Sequence, residues 1–162
     1  MNYFELFELP VAPRVDKSSL ARKYFELQKR YHPDFFSNAS EDDREEALQK
    51  SAAINKAFNI FQDEQKTIEY FLQEKKLIAE EEKYNLPPDF LMEMMDINES
   101  LDEDEPAVTR TKVMNYEKEL FAEIEPVLTA YNDNNSASMQ EKLKAYYYKK
   151  KYLRRILDRM PD

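Results

Sequence analysis

The stretch Tyr31-His32-Pro33-Asp34 holds the only histidine of the chain, set beside a carboxylate and a ring that restricts the backbone. A histidine next to an acid could serve proton transfer, but such chemistry needs companions. There is no Cys, no second His, no Gly-rich phosphate loop and no His-Glu-x-x-His pattern. The abundant Asp and Glu form no recognisable catalytic set, and the tripeptide alone cannot hold a metal. It can present a rigid polar tip for docking. The plain alternative is a helix stop followed by a turn; a given tripeptide arises by chance in such a chain about once in a hundred. The chain is therefore expected to bind proteins, to catalyse nothing itself and to carry no cofactor.

The elements that must position this tip are helices. The 162 residues contain no Gly and no Trp, yet 10 Phe and 11 Tyr, with 42% hydrophobic and 35% charged residues. Tight β-hairpins usually need Gly at positive φ, so a Gly-free chain rich in charge reads as all-α, helices joined by polar connectors. Tyr3 to Leu9 forms a short apolar turn closed by Pro10 and Pro13. Asp16 can cap a helix whose face is Leu20, Tyr24, Leu27 and Tyr31, and Pro33 stops it. Ser40, followed by Glu41, Asp42 and Asp43, starts a second helix with Ala47, Ser51, Ile54, Phe58 and Phe61 on one side. A shorter helix, Glu64 to Lys75, follows. A first unit of residues 1–76, a helix hairpin with small flanking helices, is thus expected.

Residues 77–86 are expected to connect it to a second unit, 87–162, a three-helix bundle. Pro88 suits a first helical turn. The helices should run from Pro88 to about Leu101, from about Pro106 to Tyr131 and from Ser138 to about Met160, with a loop at Asn132 to Ser138. Pro126 should kink the middle helix or end it early. No apolar run approaches the roughly 20 residues needed to span a bilayer, and MNYFELFELP does not read as a secretion signal; a cytoplasmic protein is expected, without membrane contact. A net charge of −9 argues against nucleic-acid binding. The charge is uneven. Lys17, Arg22, Lys23, Lys29 and Arg30 face one Glu26 in the first long helix, and Lys142 to Arg159 is basic.

The order of parts resembles a J-domain over about residues 1 to 76. It has an aromatic opening (YFELFELP), a basic helix, His-Pro-Asp, and a second helix containing SAAINKAF. The resemblance implies a mechanism: the His32-Pro33-Asp34 loop docks on a DnaK-like chaperone and promotes its ATP hydrolysis. Asp34 would make a charge-assisted hydrogen bond to an Arg of the chaperone. Arg22, Lys23, Lys29 and Arg30 would meet an acidic patch, although a merely solvated helix face explains them equally well. Ala21 and Phe25 depart from the basic residues other members often carry there, which points to a specialised partner chaperone.

Gly-rich or zinc-binding continuations are impossible in this chain. Instead FLMEMMDINESLDE, Phe90 to Glu103, closely resembles the corresponding region of the HscB-type J-proteins of iron–sulfur cluster assembly, and YFELFELP matches that family as well. Helical spacing supports a second use for this helix. Phe90, Met94, Ile97 and Leu101 make a sufficient core stripe, whereas Leu91 lies to its side and Met92 and Met95 face away. Burial by other helices would explain them too. The resemblance implies that Leu91, Met92 and Met95 contact an IscU-like scaffold protein. In the last helix Met139, Leu143, Tyr146, Leu153, Leu157 and Met160 make the core, and Tyr148 is the best placement for an aromatic scaffold contact, with Tyr147 and Tyr152 open. Glu64 and Thr67 replace the Pro and Arg common in the family. The partners implied are thus a DnaK/HscA-like ATPase chaperone and an IscU-like scaffold. The competing reading is a helical RNA-associated protein that grips with the Tyr- and Lys-rich segment Tyr146 to Arg159.

Overall fold

The structure, a computed structural model, describes residues 1–160. The regular elements are α1 (Tyr3–Leu6), α2 (Lys17–Tyr31), a 3-10 turn (Pro33–Phe36), α3 (Glu41–Gln62), α4 (Glu64–Glu74), α5 (Pro88–Glu103), α6 (Pro106–Ala130), a 3-10 turn (Asp133–Asn135) and α7 (Ala137–Asp158). There is no strand among the described residues, and no helix is long and apolar enough to cross a membrane. The chain divides into two compact units, Met1–Lys75 and Lys76–Asp162.

The first unit is built on α2 and α3. Asp16 caps α2, accepting from the Ser19 N–H and hydroxyl, both at 2.9 Å; these bonds hold its carboxyl below the usual range. Polar pairings then run in opposite directions along the two helices. Lys17 donates to the Phe61 and Gln62 carbonyls at 2.8 and 2.7 Å, while Tyr24 and Gln28 both donate to Asn55 at 2.9 Å. The helices are therefore antiparallel. Lys17 is spent inside the unit, because its ammonium satisfies the orphan carbonyls at the α3 C-terminus. Leu20 and Leu27 of α2 and Ala47, Ile54, Ala57 and Phe61 of α3 are buried. Tyr24 and Phe58, both expected on the core faces, instead stack at its half-buried edge with ring centroids 3.9 Å apart.

Aromatic rings close the base of this unit. Phe4 and Phe7 of the N-terminal turn are fully buried and lie 5.0 and 5.8 Å from Phe61. The Tyr3 N–H donates to the Tyr70 hydroxyl at 2.8 Å, and burial pushes that phenol up to about 12. Asp63 alone joins α3 to α4, ending one and capping the next through the Lys66 N–H at 2.9 Å. Thr67 is buried at this corner and donates to the Ile60 and Asp63 carbonyls. Glu64 pairs with Arg14 at 3.0 Å. The lack of glycine has a cost of about 1–2 kcal/mol per left-handed residue. Glu8 and Lys76 hold φ of 53° and 57° at the ends of α1 and α4, where glycine usually sits.

The second unit packs α5, α6 and α7 together. Phe90, Met94 and Ile97 face Val113, Leu120, Ile124, Val127 and Leu128 of α6 and Leu143, Tyr146, Leu153 and Ile156 of α7 across the buried interior. Ile156 takes the place expected of Leu157, which is half-buried, as are Leu101, Met139 and Met160. Pro126 does not end α6 early. The helix continues through it to Ala130; so near the C-terminus only one turn follows the missing N–H. Residues 77–86 are not a free connector. Tyr84 stacks on Tyr148 at 4.6 Å, and Lys144 pairs with Glu82 at 3.2 Å, so this stretch belongs to the second unit.

A buried polar knot fixes the tight turn between α5 and α6. Ser100 donates to Asp104 at 2.6 Å, and Thr109 donates to the Ser100 carbonyl at 2.9 Å with the two hydroxyl oxygens 2.7 Å apart. Lys112 reaches Asp104 at 3.0 Å. The Ser100 hydroxyl and then Lys112 hold the Asp104 carboxyl below its usual range. Buried hydroxyls need their partners. Thr109→Val should therefore lower stability in urea unfolding by about 1–2 kcal/mol, whereas Thr111→Val, at an exposed hydroxyl, should stay within about 0.5 kcal/mol of the parent.

Candidate functional site

The His-Pro-Asp loop is shaped by its own backbone. His32 closes α2, its N–H bonding to the Gln28 carbonyl at 3.0 Å, and its carbonyl accepts from the Phe35 N–H at 3.0 Å. Pro33 occupies the first position of the 3-10 turn, where its fixed φ fits and no N–H is needed. His32 Nδ1 accepts from the Asp34 N–H at 3.2 Å. The imidazole thus ties the loop to its own backbone. The Asp34 carboxylate lies 3.6 Å from the same nitrogen and its side chain is 87% exposed. The geometry presents an anion outward from a loop that is internally tied. Among the described residues no cluster of three or more His, Asp or Glu could hold a metal.

The basic residues of α2 separate into two groups. Arg22, Lys29 and Arg30 are exposed. Lys23 is half-buried and turned inward, 3.2 Å from Glu8 and 3.9 Å from Glu26. Lys23 is thus the member of the expected basic patch already engaged by carboxylates of its own unit. Phe25 stands exposed among these cations, with the Lys29 ammonium 4.6 Å from its ring centroid. Phe35 projects from the loop, its ring 6.0 Å from that of His32. The sequence offered a signal for Phe35 in the form of an aromatic residue directly after a polar helix stop.

The outer face of α5 displays Leu91, Met92 and Met95, exposed at 38%, 66% and 61%. The opposite stripe, Phe90, Met94 and Ile97, is buried, so the helix is apolar on two sides and covered on one. Exposed carboxylates at Asp96, Glu99 and Asp102 rim the free side. Met is a flexible, polarisable residue common at adaptable binding surfaces.

The expectation of an open Tyr148 is corrected. Tyr148 is 7% exposed, covered by Tyr84 and facing Glu82. Burial, then the Glu82 carboxylate, pushes its phenol up to about 12, and in turn the Tyr148 hydroxyl and Lys144 hold Glu82 below the usual range. The helical wheel placed Tyr148 off the α7 core stripe correctly, but a segment with no periodicity folds over that side. Tyr147 and Tyr152 remain half-exposed; the Tyr152 ring meets Phe90 edge-on at 5.9 Å. The same packing occupies part of the Tyr- and Lys-rich segment Tyr146 to Arg159. Tyr146 and Tyr148 are buried, while Lys144 pairs with Glu82 and Lys150 and Arg154 lie 3.7 and 3.9 Å from Glu117.

Residues 2–70 match the DnaJ domain family and residues 86–160 match the HSCB C-terminal oligomerisation domain family. A J-domain followed by a helical bundle of this type is the class that fold and loop define. The chain is 35% identical over 169 residues to a co-chaperone protein HscB homolog of Vibrio cholerae serotype O1 (strain M66-2), with 99% of each covered. It is 45% identical over 104 residues to the corresponding homolog of Vibrio vulnificus (strain YJ016), a match spanning 64% of this chain and 61% of that one. Among solved structures, it resembles the chaperone HscB from Vibrio cholerae with a TM-score of 0.57 at 34% identity, covering 98% of each chain. The human co-chaperone protein HscB matches with a TM-score of 0.72 at 27% identity, covering 100% of this chain and 84% of that one. The chain belongs to the HscB family of J-domain co-chaperones.

A structural role for Tyr148 carries its own check. Tyr148→Ala should destabilise the second unit by about 3 kcal/mol, the range of buried aromatic truncations. Tyr147→Ala should cost clearly less, about 1 kcal/mol. Denaturant unfolding followed by circular dichroism separates the two.

Proposed function

We propose that this co-chaperone delivers an iron–sulfur scaffold protein to a DnaK-like ATPase chaperone and stimulates that chaperone's ATP hydrolysis through His32, Pro33 and Asp34, performing no catalysis itself. Residues 1–76 serve as the chaperone-binding part and 87–162 as the scaffold-binding part. The observation that carries this reading is the pairing of an outward, internally braced Asp34 with a second, greasy surface at Leu91, Met92 and Met95. Asp34 is suited to a charge-assisted hydrogen bond with an Arg of the chaperone. Arg22, Lys29 and Arg30 raise the encounter rate with an acidic surface, and Lys23 contributes through its hold on Glu8.

On α5, the apolar centre with an acidic rim suits a scaffold surface that is apolar in the middle and basic at its edge. Burying three partly exposed side chains, each worth on the order of 1 kcal/mol, makes this a hot spot. Tyr147 or Tyr152, the half-exposed tyrosines of α7, supplies any further aromatic contact in place of Tyr148.

Asp34→Asn should abolish stimulation of the chaperone ATPase in a steady-state phosphate-release assay, with the circular dichroism spectrum unchanged. The triple variant Leu91→Ala, Met92→Ala, Met95→Ala should weaken binding of an IscU-like scaffold by about 10- to 100-fold in calorimetry, while scaffold-free ATPase stimulation persists. Full-strength scaffold binding by the triple variant would remove the client from this reading.

A further inference from the structure

Phe25 and Phe35 are large aromatic side chains left largely in solvent, 62% and 68% exposed. Single exposed apolar residues are ordinary on a protein surface. These two are distinguished by where they lie. Phe25 shares with Arg22 and Lys29 the side of α2 opposite the buried Leu20 and Leu27, by three- and four-residue steps. Phe35 stands on the loop that begins where α2 ends, one residue past Asp34. Phe25 precedes the end of the helix by six residues, about 9 Å of rise.

The electrostatics around Phe25 favour one sign of partner. Arg22 and Lys29 are exposed on the same side of α2, and the single carboxylate of α2, Glu26, lies 3.9 Å from Lys23. The Lys29 ammonium sits over the ring at 4.6 Å, a cation–π contact that keeps the apolar ring beneath a charge while the surface is free. An acidic partner would draw Lys29 into an ion pair and leave the ring to be buried against the partner.

We infer that Phe25 and Phe35 are apolar anchors of the chaperone-docking surface, and that the matching surface of the DnaK-type partner is acidic with hollows that receive two aromatic rings. This rests on the proposed reading of the His-Pro-Asp loop. It assigns the selection of one chaperone over others to shape as well as charge. A purely electrostatic docking face tolerates any acidic partner, whereas an aromatic side chain without its hollow stays wet and contributes nothing.

The test titrates the full chain against its DnaK-type chaperone and reads the plateau of ATPase stimulation separately from the concentration at half-maximum. Phe25→Ala with Phe35→Ala should raise the half-maximal concentration at least about 10-fold, the loss falling on affinity rather than on the plateau. Phe25→Lys is the sharper variant. If charge alone drives docking, an added cation tightens it; if the ring is an anchor, binding weakens in spite of the extra charge. Met114→Ala, at an exposed methionine of α6, should leave the curve unmoved. A double variant that titrates like the parent, or a Phe25→Lys variant that binds as tightly or more tightly, overturns the inference while the Asp34 reading stands. An Asp34→Asn variant that still stimulates overturns that reading, and the anchors with it.

Discussion

The closing of α2 onto α3 is the interaction on which the first unit depends. Leu20 and Leu27 on one helix and Ala47, Ile54, Ala57 and Phe61 on the other are removed from water together, and antiparallel polar pairs at Lys17 and Asn55 keep the helices in register. Once that seam is formed, the chain between Tyr31 and Glu41 has to turn back at the open end of the hairpin. Its tip then cannot be absorbed by the core. The outward position of Asp34 follows from the seam, and its orientation follows from the local bonds at His32.

The second unit solves a different problem. A helix with apolar residues on two sides can be covered on both by a larger bundle or left half-covered by a small one. In α5 the Phe90 stripe is buried against α6 and α7, and the remaining methionines and Leu91 stay in solvent. Hydrophobic surface exposed in this way is retained against its cost, which is consistent with a partner that buries it. The hydroxyl knot of Ser100 and Thr109 holds the α5–α6 turn, so the methionine face is carried on a braced helix.

The absence of glycine shapes details throughout. Helix ends that would ordinarily turn on glycine turn on Glu8 and Lys76. At Glu8 the side chain gained is put to use, since its carboxylate meets Lys23. That bond draws one cation of α2 inward and leaves Arg22, Lys29 and Arg30 outside. The exposed basic face of α2 is thereby narrower than a count of basic residues suggests.

Much of this was legible in the residues themselves. Cap residues at Asp16 and Ser40, the prolines at 33 and 88, and the steps between apolar positions set the helices to within a few residues, because caps and periodicity are local properties of the chain. The two-sided character of α5 could be read for the same reason. Tertiary structure alone decided what lies over a given side chain. Tyr148 left the core stripe of α7 and was still buried, since Tyr84, from a stretch with no repeat in its pattern, came to stack on it. Lys17 and Lys23 looked like free surface charge, yet Lys17 is tied to the α3 carbonyls and Lys23 to Glu8. Periodicity reports which way a side chain points from its own helix; whether water or another segment meets it there depends on contacts far apart in the chain, which no local spacing encodes.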